Sequence, residues 1–77
     1  MELDLGDGTR LHVTHSGRRW RIGKDDKLEF SPYPLAENIA DVLREGAKLV
    51  LVGARGNIYL ADEPLALAKR VGEQRDV

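Results

Sequence analysis

The sequence predicts a small α+β domain, an antiparallel sheet in the order ββββ-α-ββ-α with both helices packed on the sheet. Three observations predict it. Apolar and polar residues alternate over residues 1–30, apolar residues recur at helical spacing after residue 34, and a glycine-bounded hairpin follows. Because 77 residues can bury only one hydrophobic core, we expect a single domain over residues 1–77.

The first 30 residues predict an antiparallel meander of four strands. Apolar residues fall on one parity of each run and charged residues on the other, the pattern of strands with one buried face. Turn-forming segments around Gly6, Gly17 and Gly23 separate the runs. We expect strands near residues 2–5, 9–14, 19–22 and 27–30.

A change of period after the prolines predicts the first helix. Pro32 and Pro34 end the sheet run, since proline cannot donate to a strand ladder. The apolar residues that follow are spaced three and four apart, and Gly46 stands where a helix C-cap is expected. We therefore expect a helix over residues 34–45.

The second half of the chain predicts a hairpin and a last helix. Lys48–Val52 and Asn57–Ala61 are strand-like runs, joined by a four-residue connection with glycine at both ends. After them, Asp62 is a good N-cap and Pro64 suits the first turn of a helix. The apolar stripe of this helix is Leu67, Ala68 and Val71.

Both faces of the second hairpin are apolar. Leu49 and Leu51 occupy one parity of its first strand, while Val50 and Val52 occupy the other. Something must cover the second face. Either one helix packs on each side, or the second face forms a homodimer or partner interface.

Composition excludes several functional classes. The net charge of −1 gives no overall attraction to nucleic acid or anionic lipid. The longest apolar run, Leu49–Val52, is too short to cross a bilayer, and the acidic start does not resemble a signal peptide. The chain has no cysteine, which is compatible with the cytosol. We expect a cytoplasmic protein with no membrane contact.

Residues able to support catalysis or metal binding are few. Both serines, Ser16 and Ser31, fall in predicted turns and outside any nucleophile motif. His12 and His15 are the two histidines, and no third ligand accompanies them. We expect neither an enzyme nor a metal site, and no cofactor.

A cationic cluster supports one hypothesis of function. It consists of Arg10, Arg18, Arg19, Arg21, Lys24 and Lys27. Strand alternation predicts that Trp20 lies on the buried side and that four residues lie on the sheet face opposite the apolar residues: Arg10, His12, Arg19 and Arg21. Such a face suits a phosphate backbone, so a nucleic-acid-binding module is the alternative hypothesis.

An acidic row supports the other hypothesis. Glu37, Asp41 and Glu45 are spaced four residues apart and form a ridge on the predicted first helix. An acidic ridge can dock on a basic protein surface. We therefore expect a non-enzymatic protein-binding module, a small bacterial or phage regulator or inhibitor, and a homodimer is one form of it. Its expected contacts are this ridge and, on the second hairpin, Val50, Val52, Arg55 and Tyr59.

Overall fold

The computed structural model describes residues 1–74, which form eight strands in two antiparallel four-stranded sheets. In chain order the strands are β1 (Glu2–Asp4), β2 (Arg10–Val13), β3 (Arg19–Ile22), β4 (Leu28–Phe30), β5 (Ile39–Glu45), β6 (Lys48–Gly53), β7 (Asn57–Ala61) and β8 (Lys69–Glu73). The described residues contain no helix, so the predicted α+β class is wrong and this part of the chain is all-β.

The first sheet has the predicted meander order β1-β2-β3-β4. Its four strands confirm the period-two alternation of the first 30 residues. The β1–β2 turn contains Gly6 and Gly8 at positive φ, and Gly17 has a φ of 92° between β2 and β3. In this sheet, turn chemistry and alternation predicted the same structure that forms.

The second sheet has the order β5-β6-β7-β8. The predicted hairpin is confirmed as β6 and β7, in which Val50 pairs with Leu60 and Leu51 with Tyr59. The two predicted helices are wrong, because the segments assigned to them supply the edge strands β5 and β8.

A β-bulge explains the misleading helical spacing before β6. The register passes from Ile39 opposite Gly53 to Asp41 opposite Val52, so one extra residue is inserted in β5. Ile39 and Val42, three residues apart, are both buried as a result. Without a bulge, residues at that spacing lie on opposite faces of a strand, and the spacing is typical of a helix.

Gly46 belongs to a hairpin turn and not to a helix end. Glu45 pairs with Lys48, which leaves Gly46 and Ala47 as a two-residue connection. Gly46 has a φ of 63°, and Ala47 does not have a positive φ. Glycine in the first central position is what a tight hairpin of this kind requires. A C-cap also places glycine at positive φ, so sequence alone does not separate the two roles.

A second bulge accompanies β8. Its register passes from Ile58 opposite Gly72 to Tyr59 opposite Arg70, which inserts Val71 as an extra residue. Leu67 and Val71 are exposed, so the apolar stripe expected of the last helix is not buried as one.

The two sheets share one hydrophobic core. Strand β2 contributes Leu11 and Val13, and the second sheet contributes most of the remaining buried side chains: Ile39, Val42, Leu49, Leu51 and Ala61. The first sheet therefore covers the inner face of the second. The expectation that a helix packs on each side of the second hairpin is wrong.

Candidate interaction surfaces

The outer face of the second sheet carries a continuous group of apolar side chains. Register aligns Leu43, Val50 and Leu60 in one row across three strands, and Val52 with Ile58 in the next. Leu43 is 54% exposed, and the other four are partly buried. We call these five residues the outer apolar face.

Opposite charges flank the outer apolar face on the two edge strands. Asp41 and Glu45 lie two residues on either side of Leu43 in β5 and are exposed. On the other edge, Lys69 of β8 lies opposite Leu60 and is also exposed. One edge of this face is therefore acidic and the other basic.

Glu37 is separate from the other two acids of the predicted ridge. The helix expected to carry the ridge does not form, and Glu37 lies in the loop before β5, where its carboxylate accepts three hydrogen bonds. The donors are Arg55 N at 3.2 Å, Asn57 Nδ2 at 2.6 Å and Tyr59 Oη at 2.7 Å. The hydrogen bonds from Asn57 and Tyr59 lower the pKa of Glu37, and the bond to Glu37 raises the pKa of Tyr59. Glu37 therefore fastens the loop to the second hairpin.

Gly53 makes room for that carboxylate. A Cβ at position 53 would overlap the Glu37 carboxylate and lie 3.0 Å from its Cγ. The hydrogen bonds of Glu37 therefore depend on glycine at this position in β6.

The expected contact residues of the second hairpin divide between two faces. Val50 and Val52 are on the outer face. Tyr59 lies opposite Leu51 and packs against the core, and Arg55 is exposed in the β6–β7 turn. The structure thus brings two of these four residues together on one surface.

Arg19 is buried in the core, 1% exposed, and does not form part of a basic face. Register sets it opposite Val13, and Arg21 opposite Leu11, so both arginines lie on the apolar side of the first sheet. Nη1 of Arg19 donates to Pro64 O at 2.9 Å. Nη2 donates to Tyr33 O at 3.0 Å, and burial lowers the pKa of the guanidinium.

Arg10, Arg18, Lys24 and Lys27 are exposed. The register sets Arg10 opposite Ile22, on the face away from Arg19 and Arg21. The prediction of one basic sheet face that contains Arg10, Arg19 and Arg21 is therefore wrong.

Trp20 occupies the solvent side of the first sheet, contrary to the parity prediction. It lies between His12 and Phe30, with ring centroids 4.5 Å from His12 and 5.7 Å from Phe30. Phe30 is 64% exposed. We call His12, Trp20 and Phe30 the aromatic row. Sequence reasoning missed it because the parity of β3 relative to β2 depends on register.

Comparisons with protein-family models, with curated proteins and with solved structures found no match to this chain. The function of this chain is therefore inferred from the geometry of its surfaces.

Within residues 1–74, no three His, Cys, Asp or Glu side chains form a group that could hold a metal ion. His12 instead stacks on Trp20, and His15 Nδ1 lies 3.4 Å from Ile39 O. The same part of the chain has no helix long and apolar enough to cross a membrane.

Proposed function

We propose that this chain is a non-enzymatic protein-binding module that pairs with a second copy of itself through the outer apolar face. The observation that carries the proposal is the five-residue apolar group on a sheet face whose opposite side already packs on the core. Monomeric proteins rarely leave such groups in water, and burying apolar area is the main favourable term in association.

The charges at the two edges favour a second copy as the occupant. A homodimer with two-fold symmetry uses the same surface on both chains, so that surface must be complementary to itself. An acidic edge on β5 and a basic edge on β8 meet this condition when the two sheets stack face to face with their strands aligned.

The geometry of such a stack can be worked out from the strand register. A two-fold axis parallel to the strands lays β8 of one copy over β5 of the other at the same height. Lys69 is level with Leu43, so it meets the second copy between Asp41 and Glu45, each about 7 Å along the strand. The apolar side chains then stack in the middle and the ion pairs form the rim, as in ordinary interfaces.

Sedimentation equilibrium over a wide concentration range tests this proposal. We expect a monomer–dimer equilibrium that Val50→Glu abolishes, because the substitution puts a charge at the centre of the apolar contact. Val71→Glu is the matched control, since Val71 is 60% exposed and outside the defined face. A strictly monomeric wild-type protein would overturn the proposal.

A charge exchange tests the symmetry of the pair. Lys69→Glu or Glu45→Lys alone should weaken the dimer, by about tenfold, because like charges then face each other at the rim. The double variant restores opposite charges between the copies and should recover most of the affinity. If the loss of dimerisation free energy in the double variant equals the sum of the two single losses, a partner other than a second copy uses this face.

The aromatic row supports a second candidate function, the binding of single-stranded nucleic acid. Aromatic side chains on an exposed sheet stack on bases, and nearby cations hold the backbone. Phe30 supplies exposed ring area and Trp20 beside it is partly exposed, and Arg10 lies on the same face while forming a 3.6 Å ion pair with Glu2. Arg18 precedes Trp20 by two residues and is exposed.

The single tryptophan of the chain makes this candidate easy to test. Titration with a single-stranded DNA homopolymer should quench Trp20 fluorescence, with an affinity that falls as salt rises. Phe30→Ala should weaken binding by about fivefold or more. Tyr33→Ala should leave it unchanged, because Tyr33 is an exposed aromatic residue outside the row. Unchanged fluorescence throughout the titration would exclude this surface.

We also propose that the protein works in the cytoplasm as a small regulator or inhibitor. The lack of cysteine supports this setting, because oxidising compartments favour disulfide-stabilised small domains. Fractionation of the native host, followed by detection of the chain, tests the location.

A further inference from the structure

A cavity of about 340 Å³ opens where the β1–β2 turn, the β5–β6 hairpin and the β7–β8 loop meet strand β3. Its size is within the range of small-molecule binding sites. Three cationic side chains line it, Arg21, Arg44 and Lys48, together with the two acids Asp7 and Glu63. Cations from both sheets thus converge on one concave surface, away from the aromatic row.

Arg44 is held in place by backbone carbonyls. Its Nη1 donates to Leu5 O at 3.2 Å and to Gly46 O at 3.3 Å. The guanidinium also lies against Gly6, where a Cβ would be 3.0 Å from Nη1. These contacts hold Nη1 without neutralising the charge of the guanidinium, and Nε and Nη2 have no hydrogen-bond partner within residues 1–74. A fixed guanidinium fork suits carboxylate or phosphate oxygens.

Arg21 and Lys48 add two cations that the described residues satisfy incompletely. Nε of Arg21 is buried and has no hydrogen-bond partner within residues 1–74, while Nη1 is 3.8 Å from Glu29 Oε1. No carboxylate oxygen of residues 1–74 lies within 4.0 Å of the Lys48 ammonium, so Lys48 has no ion pair in this part of the chain. A buried N–H without an acceptor is costly, so an anion that reached it would gain a charge-assisted hydrogen bond.

The two acidic side chains of the cavity, Asp7 and Glu63, differ in their hydrogen bonding. Asp7 already accepts hydrogen bonds from Thr9, through the amide N at 2.9 Å and through Oγ1. Glu63 lines the cavity and is exposed, and its carboxylate has no hydrogen bond or ion pair to residues 1–74, although its backbone O accepts a bond from Ala66 N. The charged groups that line the cavity sum to one positive charge, from three cations and two acids.

We propose that this cavity binds the carboxylate or phosphate group of a small molecule, with Arg44 and Lys48 as the main contacts and Arg21 beneath them. The cavity lining contains none of the five residues of the outer apolar face, although Lys48 lies two residues before Val50 and opposite Glu45. A protein that fails to dimerise can still bind the anion, and the reverse also holds, so the two proposals fail separately.

Nuclear magnetic resonance titration at constant ionic strength tests the site, with inorganic phosphate and succinate as probes and chloride as the reference ion. We expect saturable shifts of the Gly46 and Ala47 amides and of the Arg21 Nε–Hε group. A better response to phosphate or to succinate identifies the ligand chemistry. Shifts that stay linear in probe concentration, or that chloride reproduces, would overturn the proposal.

Two variants of opposite sign complete the test. Lys48→Gln should weaken binding by about fivefold or more, since it removes a charged donor. Glu63→Gln should tighten binding by about twofold, since it removes a like charge from the cavity lining. Lys27→Gln makes the same charge change as Lys48→Gln in the exposed β3–β4 turn, outside the cavity lining and the outer apolar face, and should have no effect. Equal effects of the two lysine variants would mean general ion attraction and no site.

Discussion

Arg19 lies directly opposite Val13 in the first sheet, and both side chains are buried. No carboxylate forms a salt bridge with this guanidinium within residues 1–74; two backbone carbonyls, Pro64 O and Tyr33 O, accept its hydrogen bonds. Pro64 belongs to the β7–β8 loop and Tyr33 to the loop after β4. One arginine therefore ties two loops to the core. Carbonyl dipoles replace water at Nη1 and Nη2, while the buried Nε has no hydrogen-bond partner within residues 1–74.

Arg19→Lys should destabilise the protein by about 2 kcal/mol. The ammonium keeps the charge but lacks the planar fork that reaches two carbonyls, so at least one charged hydrogen bond is lost. Urea unfolding curves measure the change. Arg18→Lys is the control, because Arg18 is exposed and its substitution should change stability by less than about 0.5 kcal/mol. Equal midpoints for the two variants would contradict the tying role of Arg19.

Glu37 should make stability depend on pH in the acid range. Its pKa in the folded protein is below the ordinary value of 4.5, because Asn57, Tyr59 and Arg55 donate to the carboxylate. The stabilisation is therefore fully present above pH 4.5 and is lost as pH falls through the lower folded pKa. Urea midpoints of wild type should fall more between about pH 5 and pH 3 than those of Glu37→Gln. Parallel curves would contradict this account.

Tyr59 should act at the other end of the pH scale. Its pKa is raised above the ordinary 10.0, chiefly by the bond it donates to Glu37. A raised pKa gives stabilisation that is present below pH 10.0 and is lost as pH rises through the folded pKa. Tyr59→Phe should remove this alkaline loss while leaving the loss below pH 4.5 largely in place. Unfolding midpoints above pH 10 compare the two proteins.

Gly53→Ala should lower Tm by about 5 °C, because the added methyl displaces the Glu37 carboxylate from its donors. In a Glu37→Ala background the same substitution has no carboxylate to displace and should change Tm little. Thermal unfolding of the four proteins forms a double-mutant cycle. Additive effects would show that the methyl acts on something other than Glu37.

Gly46→Ala should cost about 1 kcal/mol, since Gly46 has a φ of 63° and a methyl there meets no atom within 4 Å. The loss of stability therefore comes from forcing a residue with a Cβ to keep a positive φ, and not from a steric clash with neighbouring residues. Gly72→Ala is the matched control, because Gly72 also has open space around its Cα but does not have a positive φ. Denaturant midpoints should separate the two variants, and a similar loss in both would argue against the turn geometry.

The sequence predicted the first sheet and the central hairpin of the second, because local signals decide both. Alternation sets which residues form each strand, and glycine turns set where strands end. The sequence did not predict β5, because a bulge of one residue changes the alternation of that strand into the three-residue spacing of Ile39 and Val42. A bulge forms only against a partner strand, so nothing local to residues 39–45 signals it.

The faces of the first sheet show a related limit. Alternation within β3 correctly separated Arg19 and Arg21 from Trp20 and Ile22, but it did not say which pair faces the core. That choice follows from the pairing with β2, which sets Arg19 opposite Val13. A shift of one residue in that pairing would exchange the two faces. For this reason both the aromatic row and the buried arginine escaped the sequence-based prediction.

By itself the sequence determined where most strands begin and end, that the second hairpin is apolar on both faces, and that few residues suit catalysis. These properties follow from residue type and spacing within short segments. The tertiary structure decided which segments pair, which face of each strand is buried, and that the outer apolar face has no helix from residues 1–74 to cover it. Those outcomes depend on strand register and on contacts between residues distant in the chain. A side chain is buried by strands from other parts of the sequence, and no short segment contains that information.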